Sequence, residues 1–499
     1  MAVAAHRALL LRRVRVGLGG PTRDVRLADG TVTAIEPTGA DPDGAEVIDG
    51  RGGTLLPGLR DRHVHMSQWA VALQRIDLSS AGSAADAVAL TVQADRHRTG
   101  PTPDVLHGYG FRDGLWPDSP HKDMLEAALP GRAVALVSND LHCVWLSPAA
   151  LHAIDLDHPT GLLREDECFD ARARLPEFGD DAVDAFALDA ARRAAERGVT
   201  GILDFEFCDT IATWTRRHRM AGGLPIRVEA AIRRPLLDRA IADGLRSGDK
   251  IPGTDGMLTV GPCKVLMDGS LNTRTALCHE AYPGIADPDR AHGMLTQDPA
   301  ELTEAIRRAA AAGISFAVHA IGDRANTLAL DCFQAAGCGG RIEHAQLVSG
   351  DDVRRFAPLG VIAGVQPAHA VEDRDIADAL WLTRTHDAFP FAALANAGAV
   401  LELGSDAPVS RLDPWHAIAA AVVRSDDERP PWHPEQSLTV SQAVACSTGG
   451  ATAPTVGAVA DLVLVDRDPA ETAPQSLRDV QVWATLVAGR FTHRADAIR

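Results

Sequence analysis

Residues 298–319, Asp298-Pro299-Ala300-Glu301-Leu302-Thr303-Glu304-Ala305-Ile306-Arg307-Arg308-Ala309-Ala310-Ala311-Ala312-Gly313-Ile314-Ser315-Phe316-Ala317-Val318-His319, carry one complete structural beat. Asp298 offers an N-cap, Pro299 suits the first helical position because no intrahelical N–H is needed there, and Glu301 completes a capping-box pattern. Small apolar residues continue to about Ala312, and Gly313 supplies the left-handed stop. Ile314 to Val318 then reads as a short buried strand that ends on His319. The beat recurs three times. A helix is predicted near 326–336, with Gly337 and Arg341-Ile342-Glu343-His344 behind it. Another is predicted near 351–358, followed by Gly360 and Val361 to Gln366, and a third over 387–397, followed by Gly398 and Ala399 to Asp406.

Helices alternating with short, nearly all-apolar strands imply a parallel sheet covered on both faces. Upstream strand candidates at 55–63, 199–204, 225–231 and 258–266 bring the count to eight, which favours a (β/α)8 barrel over an open doubly wound sheet. Such a barrel builds its active site at the carboxyl ends of its strands. His63, His65, Asp204, Lys264, His319, His344 and Asp406 all fall at those ends. In His63-Val64-His65, positions i and i+2 of a strand face the same side, so two imidazoles can meet one ion while Val64 turns into the wall.

The chain has 499 residues, 46% of them hydrophobic, which is too long for one bare barrel of roughly 250 residues. Residues 8–54 and 459–493 both read as β hairpins, with turns at Asp29-Gly30 and Ala488-Gly489. Each set buries little alone, so 1–54 and 450–499 are expected to form one composite β-sandwich domain around a barrel spanning 55–449. About 130 residues separate the first two strands, far beyond an ordinary βα loop, so an inserted lid or substrate subdomain is expected over about 66–195. It contains Trp116 and the segment Asp140-Leu141-His142-Cys143-Val144-Trp145. Its aromatics either line a substrate pocket or form the insertion's own core.

A net charge of −18 with no basic stripe argues against nucleic acid and anionic membrane as partners. No stretch approaches the ~20 apolar residues of a membrane span, and Ala8 to Leu11 runs directly into Arg12-Arg13, too short for a secretory core. The eight cysteines show no Cys-x-x-Cys spacing, which suits a reducing cytoplasm. A cytoplasmic protein with a small-molecule substrate is expected, and a homodimer is admitted.

Lys264 stands out by rarity, since the chain has three lysines against 46 arginines and keeps one of the three in an apolar strand. Arginine would serve for charge alone. A buried lysine can become neutral near pH 7 and capture CO2 as a carbamate, whereas a guanidinium cannot. The alternative is an ordinary ion pair with Asp268 or another carboxylate.

Seven segments in order then establish a resemblance: Pro57-Gly58-x-x-Asp61-x-His63-Val64-His65, Asp140-x-His142-x-x-Trp145, Lys264 to Ala276, His319 to Ala325, Glu343-His344-Ala345, Gln366-Pro367 and Gly404-Ser405-Asp406-Ala407-Pro408. Over nearly its whole length the chain resembles the amidohydrolase superfamily of metal-dependent hydrolases, in the branch that includes N-substituted formamide deformylase (amidohydrolase family 3). Leu141 stands where the branch usually has Gly, and Ser147 where it usually has Asn. The resemblance implies hydrolysis of a C–N bond by a metal-activated hydroxide. His63, His65 and Asp406 would hold one ion, His319 and His344 another, and carboxylated Lys264 would bridge them, with Zn2+ the first choice and Fe2+ or Mn2+, or a single ion, as alternatives. Asp406 would be the acid/base, with Lys264 and His142 also counted as catalytic. His142, Trp145, Trp116, Arg274 and Asp323 are candidates to contact substrate, although Asp323 and Arg324 also fit a structural salt bridge. A deaminase, a lactone or ester hydrolase, or an inactive scaffold are the competing readings.

Overall fold

The computed structural model describes residues 8–97, 104–111, 113, 116–138, 143–164, 166–175 and 178–498. Eight strands form one parallel sheet in sequence order: β1 (Leu59–Val64), β2 (Val199–Asp204), β3 (Arg227–Arg233), β4 (Leu258–Leu266), β5 (Phe316–Ala320), β6 (Gly340–His344), β7 (Val361–Val365) and β8 (Leu401–Leu403). The sheet curls until β8 meets β1. The seam is made beyond the end of β8, where Val64 bridges Ala407 in parallel, Asp406 N–H donates to the His63 carbonyl at 2.7 Å, and His65 N–H donates to the Ala407 carbonyl at 2.9 Å. Barrel closure therefore runs through the candidate ligands themselves.

The helix after Asp298 spans Pro299–Ala311, with the Asp298 carboxylate accepting from the N–H groups of Ala300 and Glu301. Asp323–Ala336 follows, ended by Gly337 in the left-handed region. The helix expected over 351–358 is instead two single turns, Gly350–Val353 and Phe356–Leu359. Pro358 has no N–H to return to the Arg354 carbonyl, which removes the bond a continuous helix needs there. The helix expected over 387–397 begins only at Phe391, because a residue before proline avoids the helical region, and Phe389, which precedes Pro390, sits at φ +49°.

The first strand candidate, 55–63, divides. Thr54–Pro57 pairs antiparallel with Leu462–Val465 in a second sheet, and only Leu59 onward enters the barrel. Pro57 has no donor to continue a ladder. Gly58 N–H then goes to the Asp461 carbonyl and Leu59 N–H to the Gly198 carbonyl, so the chain changes sheets within two residues. That second, eight-stranded sheet joins both chain ends, in the order Arg490–Arg494, Val482–Val487, Leu462–Val465, Thr54–Pro57, Leu9–Val16, Thr22–Ala28, Thr31–Glu36, with Glu46–Asp49 also on Leu9–Val16. It folds back so that Val32 N–H reaches the Ala458 carbonyl, enclosing Leu11, Val25, Val32, Leu55, Leu464 and Leu486.

Trp69–Ala187 is a separate compact unit. Its five strands run in the order Leu162–Arg164, Cys143–Leu146, Val134–Ser138, Leu106–Phe111, Ile76–Asp77. The Trp145 side chain is fully buried in its core beside Phe111, Leu125 and Leu136. Trp116 packs at the edge of that core, 5.5 Å from Phe111 between ring centroids, and its indole N–H donates to the Ala81 carbonyl. Both tryptophans thus pack in the insertion, Trp145 fully buried and Trp116 half-buried, as the second of the two roles open to them has it. A large apolar side chain satisfies either role, and only burial separates them. Ser147 caps the helix Pro148–Ala153 through Ala150 N–H, a task that its small hydroxyl shares with Asn. Among the described residues, no helix is long and apolar enough to cross a membrane.

Candidate metal centre

Strands β1, β4, β5, β6 and the turn after β8 each deliver a side chain to one place. The Asp406 Oδ1 lies 3.2 Å from His65 Nε2 and 3.4 Å from His63 Nε2. His63, His344 and Asp406 offer ligand atoms that all lie within 4.8 Å of one another. The His319 ring stands edge-on to His344 at 4.4 Å, and His344 is 4.9 Å from His63. Lys264, buried, places its Nζ 4.3 Å from the centre of the Phe205 ring, whose edge packs on His63. His63, His65, His319, His344 and Asp406 are thus neighbours in one place, and Lys264 stands beside them across the Phe205 ring. Two of them sit on strained backbone: His344 has φ +79° and Asp406 φ +56°, in a region non-glycine residues avoid. Gly404 makes the closure possible, since a Cβ there would stand 2.6 Å from the His63 backbone nitrogen.

Second-layer contacts fix which nitrogen faces inward. His63 Nδ1–H donates to Glu343 Oε2 at 2.7 Å, which leaves Nε2 bare toward Asp406. His319 Nε2 lies 3.0 Å from the Gly269 carbonyl, an acceptor only, so Nε2 carries the proton and Nδ1 the free lone pair. Glu343 is in turn held by Arg341 Nε at 2.6 Å, and Arg341 also pairs with Glu402. Glu402 pairs with Arg62, and Arg62 with Glu229. These residues come from β1, β3, β6 and β8, mostly not neighbours in the sheet, so the chain of ion pairs crosses the barrel interior and ends on His63. A Cβ on Gly364 would meet Glu343 Oε2 at 2.3 Å; glycine leaves room for that carboxylate.

Burial, reinforced by the nearby Lys264 charge, pushes His63 down to about 4 and His319 to about 3, and His344 falls well below its ordinary value. All three imidazoles are therefore neutral at pH 7, the form that binds metal. Burial works against the ionised Asp406, yet the surrounding His63, His65 and His369 hold it far below the usual carboxylate range. Burial lowers Lys264 to about 8, with Glu343 and Asp406 opposing. The expected alternative, an ion pair between Lys264 and Asp268, is absent. Asp268 instead accepts N–H groups of Leu277, Ile321 and Gly322, while Lys264 Nζ is buried without a hydrogen-bond partner. His65 Nδ1, His344 Nδ1 and His369 Nε2 are likewise buried and unpartnered. Buried polar atoms left this way are costly, and a donor set of imidazoles, a carboxylate and an amine fits a divalent cation that would satisfy them.

Arg274 is exposed in the turn Ser270 to Thr275, at φ +55°. Asp323 accepts from the N–H groups of His279 and Arg324 and pairs with Arg384, so its salt bridge is with Arg384 rather than Arg324. Asp204 accepts from Met66 N–H and from the Trp214 indole, a bracing role within the barrel rim. His142 lies outside the described residues. Sequence reasoning passed over His369, whose Nε2 is 4.0 Å from Asp406 Oδ2 and whose Nδ1 accepts from Gln346 Nε2. It stands two residues after Pro367, in the helix Pro367–Glu372, where no strand end announces it. Glu343 was passed over as well, although it adjoins His344.

Because Glu343 sets the proton position of His63, Glu343→Gln is expected to weaken metal binding about 10- to 100-fold while leaving all ligand side chains present. Competition against a coloured chelator measures it; an unchanged affinity would remove Glu343 from the site's architecture.

A model described as the amidohydrolase family matches residues 46–493. A putative amidohydrolase, YtcJ, of Bacillus subtilis is 26% identical over 490 residues, covering 90% of this chain and 90% of that protein. An N-substituted formamide deformylase of Arthrobacter pascens is 25% identical over 510 residues, covering 92% and 91%. Among solved structures, an uncharacterised metal-dependent hydrolase of Pyrococcus furiosus superposes with a TM-score of 0.75 at 24% identity, covering 93% of this chain and 100% of that one. At that identity the likeness speaks for the fold.

Proposed function

The chain belongs to the amidohydrolase family, and from that premise we propose that it hydrolyses a non-peptide C–N bond, in an amide or an N-substituted formamide, with divalent metal held by His63, His65, Lys264, His319, His344 and Asp406. The observation that carries this reading is the gathering of these side chains at the carboxyl ends of the barrel strands, where Lys264 Nζ, His65 Nδ1 and His344 Nδ1 are buried with no hydrogen-bond partner among the described residues. The formamide is suggested by the name of the Arthrobacter relative.

In this reading His63, His65 and Asp406 would hold one ion and His319 and His344 a second, with Lys264, as its carbamate, a shared ligand. Zn2+ suits the imidazole and carboxylate donors best. Such ions, when bound, supply Lewis acidity and lower the pKa of water toward 7. The protein's own groups do the rest. Asp406, ionised and with Oδ1 turned to His63 and His65, takes the proton of the attacking water and returns it to the departing nitrogen, because an amide nitrogen leaves only when protonated. Glu343 keeps His63 in the tautomer that presents Nε2. The absence of a disulfide among the described cysteines fits a reducing cytoplasm as the place of action.

Elemental analysis of the purified protein, followed by chelation and a panel of N-formyl and N-acyl amines, tests the function. The expected result is bound divalent metal and amide hydrolysis that chelation abolishes and added metal restores. Full activity in a metal-free preparation would overturn it, and turnover confined to lactones or to amidine-like amino groups would move the chemistry to ester hydrolysis or deamination.

A further inference from the structure

Beside the candidate metal centre stands a cation that pairs with no acid among the described residues. Arg233 is the last residue of β3 and lies in register with Lys264 on β4. Its guanidinium carbon sits 4.2 Å from the centre of the Phe207 ring, and that ring stacks on His65 at 5.1 Å with an interplanar angle of 7°. One aromatic ring thus links the guanidinium to a candidate ligand. Phe207 is nevertheless 55% exposed, an unusual state for phenylalanine.

The arginines of the barrel interior show the contrast. Arg62 and Arg341 each pair with two carboxylates. Among the described residues, no carboxylate is paired with Arg233. Glu206, the nearest acid by its electrostatic influence, is committed to Gln68 and to the Phe207 N–H. Burial lowers Arg233 from its ordinary value, so the cation loses water without gaining a counter-ion. A guanidinium stacked on an aromatic face keeps its edge N–H groups free, the geometry that grips a carboxylate with two parallel bonds.

We propose that Arg233 and Phe207 form a subsite for a carboxylate borne by the substrate, so that the preferred substrates are N-acylated or N-formylated amino acids with an apolar side chain rather than neutral amides. This rests on the hydrolase function above and names its substrate class. The guanidinium holds the carboxylate, the exposed part of Phe207 receives apolar groups, and the scissile carbonyl is thereby brought toward His65 and Asp406. The substrate's negative charge also explains why a chain of net charge −18 keeps an unpaired cation at this position.

The test uses two substrates that differ only by the carboxylate, N-formylphenylalanine and N-formyl-2-phenylethylamine. The wild-type protein is expected to favour the acid in kcat/KM by roughly 10- to 100-fold, chiefly through KM. Arg233→Met should bring the ratio close to one, and Arg233→Lys, with charge but no fork, should fall between. In parallel, calorimetry follows binding of 3-phenylpropanoate against 3-phenylpropan-1-ol, with metal content and Tm recorded for each variant to show that it is folded. The acid should bind more tightly, and the difference should vanish in Arg233→Met. Equal kcat/KM for the two formamides in wild type, a ratio unmoved by Arg233→Met, or acid binding indifferent to that change would overturn the subsite. If no amide is turned over while the acid still binds in an Arg233-dependent way, the hydrolase function falls and the anion subsite stands.

Discussion

Asp406→Asn is expected to lower kcat by a factor on the order of 10² to 10⁴, the range lost when a positioned acid/base is removed. The amide is nearly the same size, so the strained turn at φ +56° and the seam between β8 and β1 should survive. What disappears is the ability to accept a proton and return it. The carboxylate is now ionised far below its usual range because three imidazoles surround it, with His63 and His65 on Oδ1 and His369 at 4.0 Å from Oδ2. Asn also makes a poorer ligand, so metal content is measured beside kcat to separate the two losses. A variant with near wild-type kcat would end the acid/base role.

Lys264→Ala should abolish most activity and release about one equivalent of metal, because it removes the only group assigned to both ions. Lys264→Arg should do no better: a guanidinium stays charged and forms no carbamate. The buried Nζ without a hydrogen-bond partner and the ammonium lowered to about 8 are what make carboxylation reasonable here, since CO2 reacts with the neutral amine. A short carboxylic acid should partly restore the alanine variant by standing in for the lost carboxylate. Mass analysis of the Lys264 peptide in the native state, together with the metal count, decides the matter. Unmodified lysine beside one fully occupied ion would leave a mononuclear hydrolase in which Asp406 and a single metal act alone.

Much of the site was legible because barrel architecture ties chemistry to strand ends. His319, His344 and Asp406 each follow a short apolar run behind a glycine-stopped stretch, and His63 and His65 stand two apart at the end of one strand, His65 just beyond it. Those signals are local. The aromatics of the insertion were not legible in the same way. Trp145 and Trp116 occur in a segment rich in turn and aromatic residues, a pattern shared by pockets and by small cores, and the fold places Trp145 in the insertion's core and Trp116 at its edge. Arg233 escaped notice because β3 ends two residues later than its apolar run suggests, at Arg233 rather than Ala231.

From the sequence alone came the period of helix and strand, the eight-strand count and the polar residues at the strand ends, since each depends on spacing within about twenty residues; the choice of six ligands among them came from the family resemblance. The tertiary structure alone decided which atoms those side chains present. The tautomer of His63 is set by Glu343, 280 positions away, and Glu343 by an ion-pair chain drawn from β1, β3, β6 and β8. Glu206, the acid that acts electrostatically on Arg233, is bonded to Gln68, 138 positions away. A hydrogen bond or an ion pair acts over a few ångströms in space whatever the separation along the chain, so residue types and their periodicity reveal where chemistry gathers, and packing determines how it is wired.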